Sequence, residues 1–413
     1  MAQPHTDSVL QNILKQNKNL LLQKVIADKD SFRLQIIYTQ INRDKYNSPS
    51  FTNYNFNVDS NLYFNPASIV KLPLSLLALE KLNALKIKGV DKNTSLQIDS
   101  NFYWQMPAYK DSTAATGLPS IAHYIKKAFL ISDNDAYNRL YQFAGQQNIN
   151  SNLHNKGFTA TLITRQFLGL SVLQNRHSNA FRFLDIDKKQ LYYKPPAYNT
   201  DSFYFGKPVK IGRGHYNSKD SLVNEPIDFT AANKLTLQNF QQMLQTLLFP
   251  QSVSPRQRFN LSSDDYTFLY RYLSQYPSET DYPKYDTAKF YDSYVKFYFK
   301  NAAHKISPYI RVFNKVGWAY GFLIDGSYVV DFKNKVEFML TAVLYVNSDG
   351  ILNDDKYDYE SIGWPFMYEL GQTIYRYELQ RPKKIKPNLK DFKILYEQRN
   401  PDDTRPAIKD ADN

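Results

Sequence analysis

Ser68 and Lys71 stand three residues apart in the stretch Asn65-Pro66-Ala67-Ser68-Ile69-Val70-Lys71-Leu72-Pro73-Leu74, and the apolar positions Leu76, Leu77, Leu79 and Leu82 follow. That pattern predicts a helix that carries a hydroxyl and an amine on one face, because positions i and i+3 are neighbours on a helical surface. Pro66 stops a helix from running in from upstream. The first-turn amides have no partner inside the helix, so Ser68 would sit in a positive field that favours an alkoxide or oxyanion. A serine paired with a lysine in such a field is the composition of an activated nucleophile.

The spacing alone does not single out Ser68, because Ser293-Tyr-Val-Lys296 repeats it. Tyr291, Tyr294, Phe297 and Tyr298 surround that second pair with helical periodicity, and a serine inside such a helix belongs to packing. Two further stretches combine hydroxyl, amide and amine groups. Ser132-Asp133-Asn134 precedes Ala136, Leu140, Tyr141 and Ala144 at helical spacing and, taken alone, is a good N-cap. Lys315-Val316-Gly317-Trp318 lies on a predicted strand, where glycine lets another backbone or a ligand approach.

The three stretches in this order resemble the Ser-x-x-Lys, Ser-Asp-Asn and Lys-Thr-Gly motifs of the class A β-lactamases and penicillin-binding proteins. The resemblance covers roughly residues 6 to 378 and implies an acyl-enzyme mechanism. Ser68 would be the acylated nucleophile and Lys71 the amine that takes or relays its proton. Ser132 would pass a proton to the leaving nitrogen, assisted by Lys315, whose charge also attracts a substrate carboxylate. Asn134 would bind the substrate's side-chain amide, and Asp133 would hold the loop. The backbone amides of Ser68 and Trp318 would form the oxyanion hole, with Gly317 leaving that strand edge open. Tyr103 and Trp104 lie where an aromatic residue lines the cleft mouth in the class A enzymes; core packing is an equal reading for both.

The chain departs from the family pattern at three points. Val316 stands in place of the motif hydroxyl that helps hold a substrate carboxylate. No glutamate occurs between Glu80 and Glu225, so the loop carboxylate that activates the deacylating water is missing. Gln174 fits that loop but an amide is not a general base, which leaves His177, Asp185 and Asp187 as substitutes. The interval from Ser132 to Lys315 is also longer than in the compact class A enzymes, and the added material would narrow the cleft or recognise a large polymer.

The elements that must position these groups follow from periodicity. Residues 6 to 28 carry an amphipathic helical pattern, and residues 32 to 41 and 54 to 58 read as two antiparallel strands. Helices are expected near 68–86, 120–130, 132–146, 236–249, 263–274 and 287–300, with extended loops between about 150 and 230. Residues 310–318, 321–331 and 336–346 form a strand meander, and Ile362, Phe366, Met367, Leu370, Ile374 and Tyr377 mark a last helix. The fold class is therefore α+β. A β-lactamase/transpeptidase-like antiparallel sheet of about five strands is built from both chain ends, and a mainly helical domain is inserted. The expected domains are 1–62 with 305–380 for the sheet, 63–304 for the helical insert with long loops, and 381–413 as an extended basic tail.

A net charge of +12 over 413 residues suits anionic surroundings. The Lys and Arg residues are dispersed and no aromatic-basic motif for nucleic acid appears, so no nucleic-acid partner is expected. The absence of cysteine excludes disulfides, thiolate catalysis and cysteine-held zinc, and the six histidines show no metal spacing, so neither metal nor cofactor is expected. No stretch reaches the length of a membrane span. The opening Met-Ala-Gln-Pro-His has no signal-peptide character, which fits either a cytoplasmic protein or one whose leader was removed; the resemblance implies the second, a monomeric periplasmic or otherwise exported enzyme. The expected partner is a small-molecule β-lactam or a peptidoglycan peptide. Beside β-lactam hydrolysis stand a D-Ala-D-Ala carboxypeptidase or other wall peptidase, and a non-catalytic wall-binding protein of the same fold.

Overall fold

A computed structural model describes residues 5–410. The chain forms two compact units, one from residues 5–69, 204–252 and 292–393, the other from 70–203, 253–291 and 394–410.

The first unit is built on a five-stranded antiparallel sheet. Its strands are β1 (Gln35–Arg43), β2 (Pro49–Phe56), β3 (Ile310–Ala319), β4 (Phe322–Asp331) and β5 (Val336–Tyr345), ordered β3-β4-β5-β1-β2. Both chain ends thus supply one sheet, joined where β1 pairs with β5 through Tyr38 opposite Leu340. Helix Trp364–Gln380 buries Phe366, Met367, Leu370 and Ile374 in a cluster with Ile36, Val312, Leu323 and Phe338 of the sheet. Burial of each such side chain contributes about 1.5–3 kcal/mol. Helix Leu237–Leu248 lies against the other face, where Phe240 packs so closely that a side chain at Gly326 would overlap its ring.

The amphipathic pattern at the start becomes two helices, Ser8–Gln16 and Leu20–Ala27, instead of one. Asn19 caps the second by accepting from Leu22 N at 3.0 Å, while Asn17 donates to Glu369 and Thr373 at 2.6 Å each. Side chains of the 17–19 segment therefore outcompete a continuous helical ladder.

The expected helix over 287–300 is absent; only the 3-10 turn Phe297–Phe299 forms there. Phe297 and Tyr298 are buried and Tyr291 and Tyr294 half-buried, but Phe297 N donates to the Asp325 side chain at 3.0 Å and the Tyr298 hydroxyl to Asp325 O at 2.8 Å. Contacts to a distant strand replace the local ladder. Ser293 consequently does not sit on a helix; its hydroxyl is buried without a partner.

The second unit is mainly helical. Helix Lys71–Leu85 is apolar on nearly every face and buries Leu72, Leu74, Leu76, Leu77, Leu79 and Leu82, as a central helix must. Helices Ile121–Leu130, Asn134–Ala144, Gln146–Asn155 and Ser263–Ser274 complete the layer. The region expected as extended loops also contains the hairpin Ala180–Leu184 and Gln190–Lys194, which pairs with Ser95–Asp99 in a three-stranded sheet. Residues 394–410 lack regular structure but are anchored: Lys126 binds Glu397 at 3.1 Å, Lys284 binds Asp403 at 3.3 Å, and Ile408 bridges to Tyr285.

Candidate functional site

The residues singled out by sequence fall in both units: Ser68, Lys315, Gly317 and Trp318 in the sheet unit, and Lys71, Tyr103, Trp104, Ser132 and Asn134 in the helical unit. Ser68 occupies the 3-10 turn Ala67–Val70, which runs directly into helix Lys71–Leu85. The expected helical start is therefore tighter than an α-turn. Three residues complete one 3-10 turn, so the i, i+3 spacing again aligns the two positions. Ala67, immediately before the serine, has φ +44°, a conformation that costs a non-glycine residue about 1–3 kcal/mol.

In the sheet unit, Gly317 lies against that turn. A Cβ at Gly317 would stand 2.9 Å from both Ser68 N and Pro66 O and 3.1 Å from Ile69 N, so the approach of the two backbones requires glycine. Side chains alternate along the strand, which puts Lys315 and Gly317 on one face and Asn314, Val316 and Trp318 on the other. Val316 packs in the core cluster, so the position of the missing motif hydroxyl is a packing position here. Lys315 is 1% exposed and donates to Val316 O at 2.8 Å. Trp318 packs on Tyr294 and Phe297 at centroid distances of 6.1 and 5.8 Å. Its strand, β3, is a sheet edge, where outward backbone groups are not consumed by the ladder.

In the helical unit, Lys71 is fully buried. Its Nζ donates to Ser132 O at 2.5 Å and to Asn134 Oδ1 at 2.9 Å, and lies 3.3 Å from Ser132 Oγ. Ser132 adopts φ +66°, the second strained residue in these motifs. Asp133 is the N-cap of helix Asn134–Ala144, accepting from Ala136 N at 2.7 Å, and pairs with Lys127 at 3.4 Å. The three consecutive residues thus divide: Ser132 and Asn134 face the Lys71 ammonium, and Asp133 holds the helix start.

Tyr103 is 93% exposed, and Trp104 is stacked on Phe102 at 4.5 Å. His177 joins that aromatic group, 4.7 Å from Phe102 and 4.6 Å from Tyr198, and burial lowers its pKa. Asp185 and Asp187 sit in the hairpin turn, where Asp185 accepts from Asp187 N and Lys189 N. Gln174 is likewise occupied locally, accepting from Ser171 N at 2.8 Å.

The residue missed by sequence reading is Phe167, whose ring centroid lies 5.2 Å from Lys71 Nζ. It sits in an irregular segment without periodicity, so no local signal marks it. The competing pair resolves differently from Ser68 and Lys71: Lys296 is 1% exposed and donates to Asn314 Oδ1 at 2.6 Å in the sheet core.

The sequence model of the β-lactamase enzyme family matches residues 21–261, more than half of the chain. The chain belongs to the β-lactamase enzyme family. No curated protein matches its sequence. Among solved structures, a β-lactamase from Sphaerobacter thermophilus is 13% identical with a TM-score of 0.46, covering 87% of this chain and 97% of its own. A β-lactamase from Francisella tularensis is 14% identical with a TM-score of 0.47, covering 86% and 97%. These likenesses are distant, and family membership rests on the sequence match. The chain combines α-helices with an antiparallel sheet made from both ends of the sequence. Among the described residues, no helix is long and apolar enough to cross a membrane.

Proposed function

We propose that this β-lactamase family member is a serine hydrolase that forms an acyl-enzyme on Ser68 and cleaves an amide such as a β-lactam. The observation that carries the reading is the buried Lys71 ammonium held on Ser132 and Asn134, three residues after the serine. Ser68 Oγ would attack the carbonyl carbon, its proton passing to Lys71 and through Ser132 to the leaving nitrogen, with Lys315 drawing the substrate carboxylate. The amides of Ser68 and Trp318 would receive the oxyanion; one such donor is worth about 100 to 1,000 in rate. The closeness of Gly317 to Ser68 N supports this placement. Asn134, Tyr103 and Trp104 would bind the substrate, which is a small β-lactam or a wall peptide met outside the cytoplasm by a monomeric enzyme.

A second reading, a D-Ala-D-Ala carboxypeptidase or related wall peptidase, draws support from the phenyl ring beside Lys71, because no loop carboxylate occupies that place. Benzylpenicillin followed by intact-mass measurement tests the common chemistry. A stoichiometric adduct that disappears in Ser68→Ala is the expected result; a folded protein that acquires no adduct from any β-lactam or acyl ester would overturn both readings. Rapid turnover of a chromogenic cephalosporin would decide for the lactamase, and a persistent adduct for the peptidase.

A further inference from the structure

The helical unit holds a cleft of about 170 Å³ that none of Lys71, Ser132 and Asn134 lines. At roughly 10–15 Å³ per water it has room for on the order of ten. Its wall includes Lys81, Arg176, Ser178 and Tyr198 and the first turn of helix Gln146–Asn155. Lys81 Nζ donates to Phe143 O at 2.8 Å and to Ala144 O at 3.0 Å, and lies 5.4 Å from the Phe143 ring centroid. Phe143 packs on Phe181 at 5.5 Å, and Lys194 Nζ lies 5.3 Å from the Phe181 centroid. Lys194 is 6% exposed and donates to Ser178 Oγ in the cleft wall at 3.2 Å. Arg176 completes the group, with Nη1 donating to Asn199 O at 2.9 Å and to Asp201 O at 2.6 Å.

Among the described residues, no carboxylate pairs with either lysine or with Arg176; the Asp201 carboxylate accepts from Gln147 Nε2 at 3.0 Å instead. Burial without a counter-charge lowers the Lys81 pKa to about 8, and burial together with the Lys81 charge lowers that of Lys194 to about 7. The start of helix Gln146–Asn155 adds to this positive potential. No side chain caps it, and Lys81 Nζ stands 4.0 Å from the place of a Cβ at Gly145, its N-cap residue. We propose that this cleft is a binding site for a phosphate group, with Lys81, Arg176 and the first-turn amides around the anion and Lys194 behind Ser178 supplying further charge. Like charges held together out of water repel until a counter-charge joins them, and a multiply charged anion compensates several at once. Ammonium, guanidinium and free helix amides together suit the several oxygens of phosphate better than the two of a carboxylate. The half-exposed Tyr198, whose ring lies 4.6 Å from His177, offers a face at the same cleft to a ring that carries the phosphate, as in a sugar phosphate.

Calorimetric titration of the full chain with inorganic phosphate and with glucose 6-phosphate tests the assignment, with glucose and acetate as controls. Saturable binding of phosphate at one site per chain is expected, and tighter binding of the ester would assign the site to a phosphorylated sugar instead of the free ion. Lys81→Met and Lys194→Met should each weaken binding by about tenfold or more, the scale of losing a charge beside a buried anion. Lys219→Met, at an exposed lysine of the sheet unit, should leave it within about twofold. If Lys81→Met does not fold, for want of the bonds to Phe143 O and Ala144 O, melting temperatures decide. Phosphate should then raise that of the wild type above its value in chloride at equal ionic strength, and raise that of Lys194→Met less. No saturable phosphate binding, equal affinity for acetate, or lysine variants that all bind like the wild type would overturn the proposal.

Discussion

The Lys71 ammonium donates at 2.5 Å to the carbonyl oxygen of Ser132, a residue held at φ +66°. The left-handed turn exposes Ser132 to a test that separates strain from chemistry. Ser132→Gly removes the cost of positive φ, about 1 kcal/mol, and should leave melting temperature equal or higher. Acylation by benzylpenicillin should nonetheless fall by about 100-fold or more, because the proton relay loses its hydroxyl. A Ser132→Gly protein that acylates at the wild-type rate would remove Ser132 from the mechanism.

Lys71→Ala should lose both stability and reaction. The substitution removes the ammonium hydrogen bonds to the Ser132 carbonyl and to the side-chain oxygen of the exposed Asn134, and a hydrogen bond from a charged group contributes about 1.5–3 kcal/mol when buried. Urea midpoints measure the first effect, and stopped-flow acylation the second, with an expected drop of about 100 to 10,000-fold.

Gly317→Ala drives a methyl group against backbone, not against a side chain that can turn away, since Ser68 N and Pro66 O lie 2.9 Å from its Cβ. Overpacking of this kind costs about 1–3 kcal/mol. A lowered melting temperature together with slowed acylation is expected, and an unchanged acylation rate would show that the turn carrying Ser68 can shift freely.

Ser293→Ala should leave acylation within about twofold of the wild type and stability unchanged or slightly higher. Its hydroxyl is buried without a hydrogen bond, so the substitution removes an unsatisfied group. Loss of the penicillin adduct in this variant, with Ser68 intact, would reassign the nucleophile.

Asp325 supplies a pH dependence. Burial raises its carboxyl to about 7, despite hydrogen bonds from Asn314 and Ser327 and the charge of Lys296. The unfolded chain releases that proton near pH 4, whereas the folded protein keeps it to about 7. Between these values the folded state binds more protons, so the Asp325 contribution to stability is fully present below the unfolded pKa. It falls as pH rises through the folded value. The difference in urea-derived stability between wild type and Asp325→Asn, measured at pH 5 and pH 8, should shift against the wild type at pH 8 by on the order of a few kcal/mol. A difference independent of pH would mean that Asp325 is ionised throughout.

The three motifs, the strand meander and the last helix were legible because each rests on local spacing: hydroxyl and amine three residues apart, alternation in strands, and apolar recurrence in helices. Two local readings failed where long-range partners took over. Asn17 and Asn19 broke the first helix through bonds that include Glu369 and Thr373, and Asp325 claimed the amide of Phe297 where aromatic periodicity spelled a helix. The same long-range contacts separated the two Ser-x-x-Lys pairs, which sequence spacing alone leaves equal. Lys71 is held by Ser132 and Asn134, while Lys296 is held by Asn314 in the sheet core.

Sequence alone therefore determined the order of the chemical groups and the two-ended sheet, because these depend on neighbours a few residues apart. Tertiary structure decided which lysine meets the Ser-Asp-Asn stretch, why residue 317 must be glycine, and that a phenyl ring lies beside the Lys71 ammonium. The physical reason is common to all three: each is a contact between segments distant along the chain, set by packing and hydrogen bonding that no local periodicity encodes.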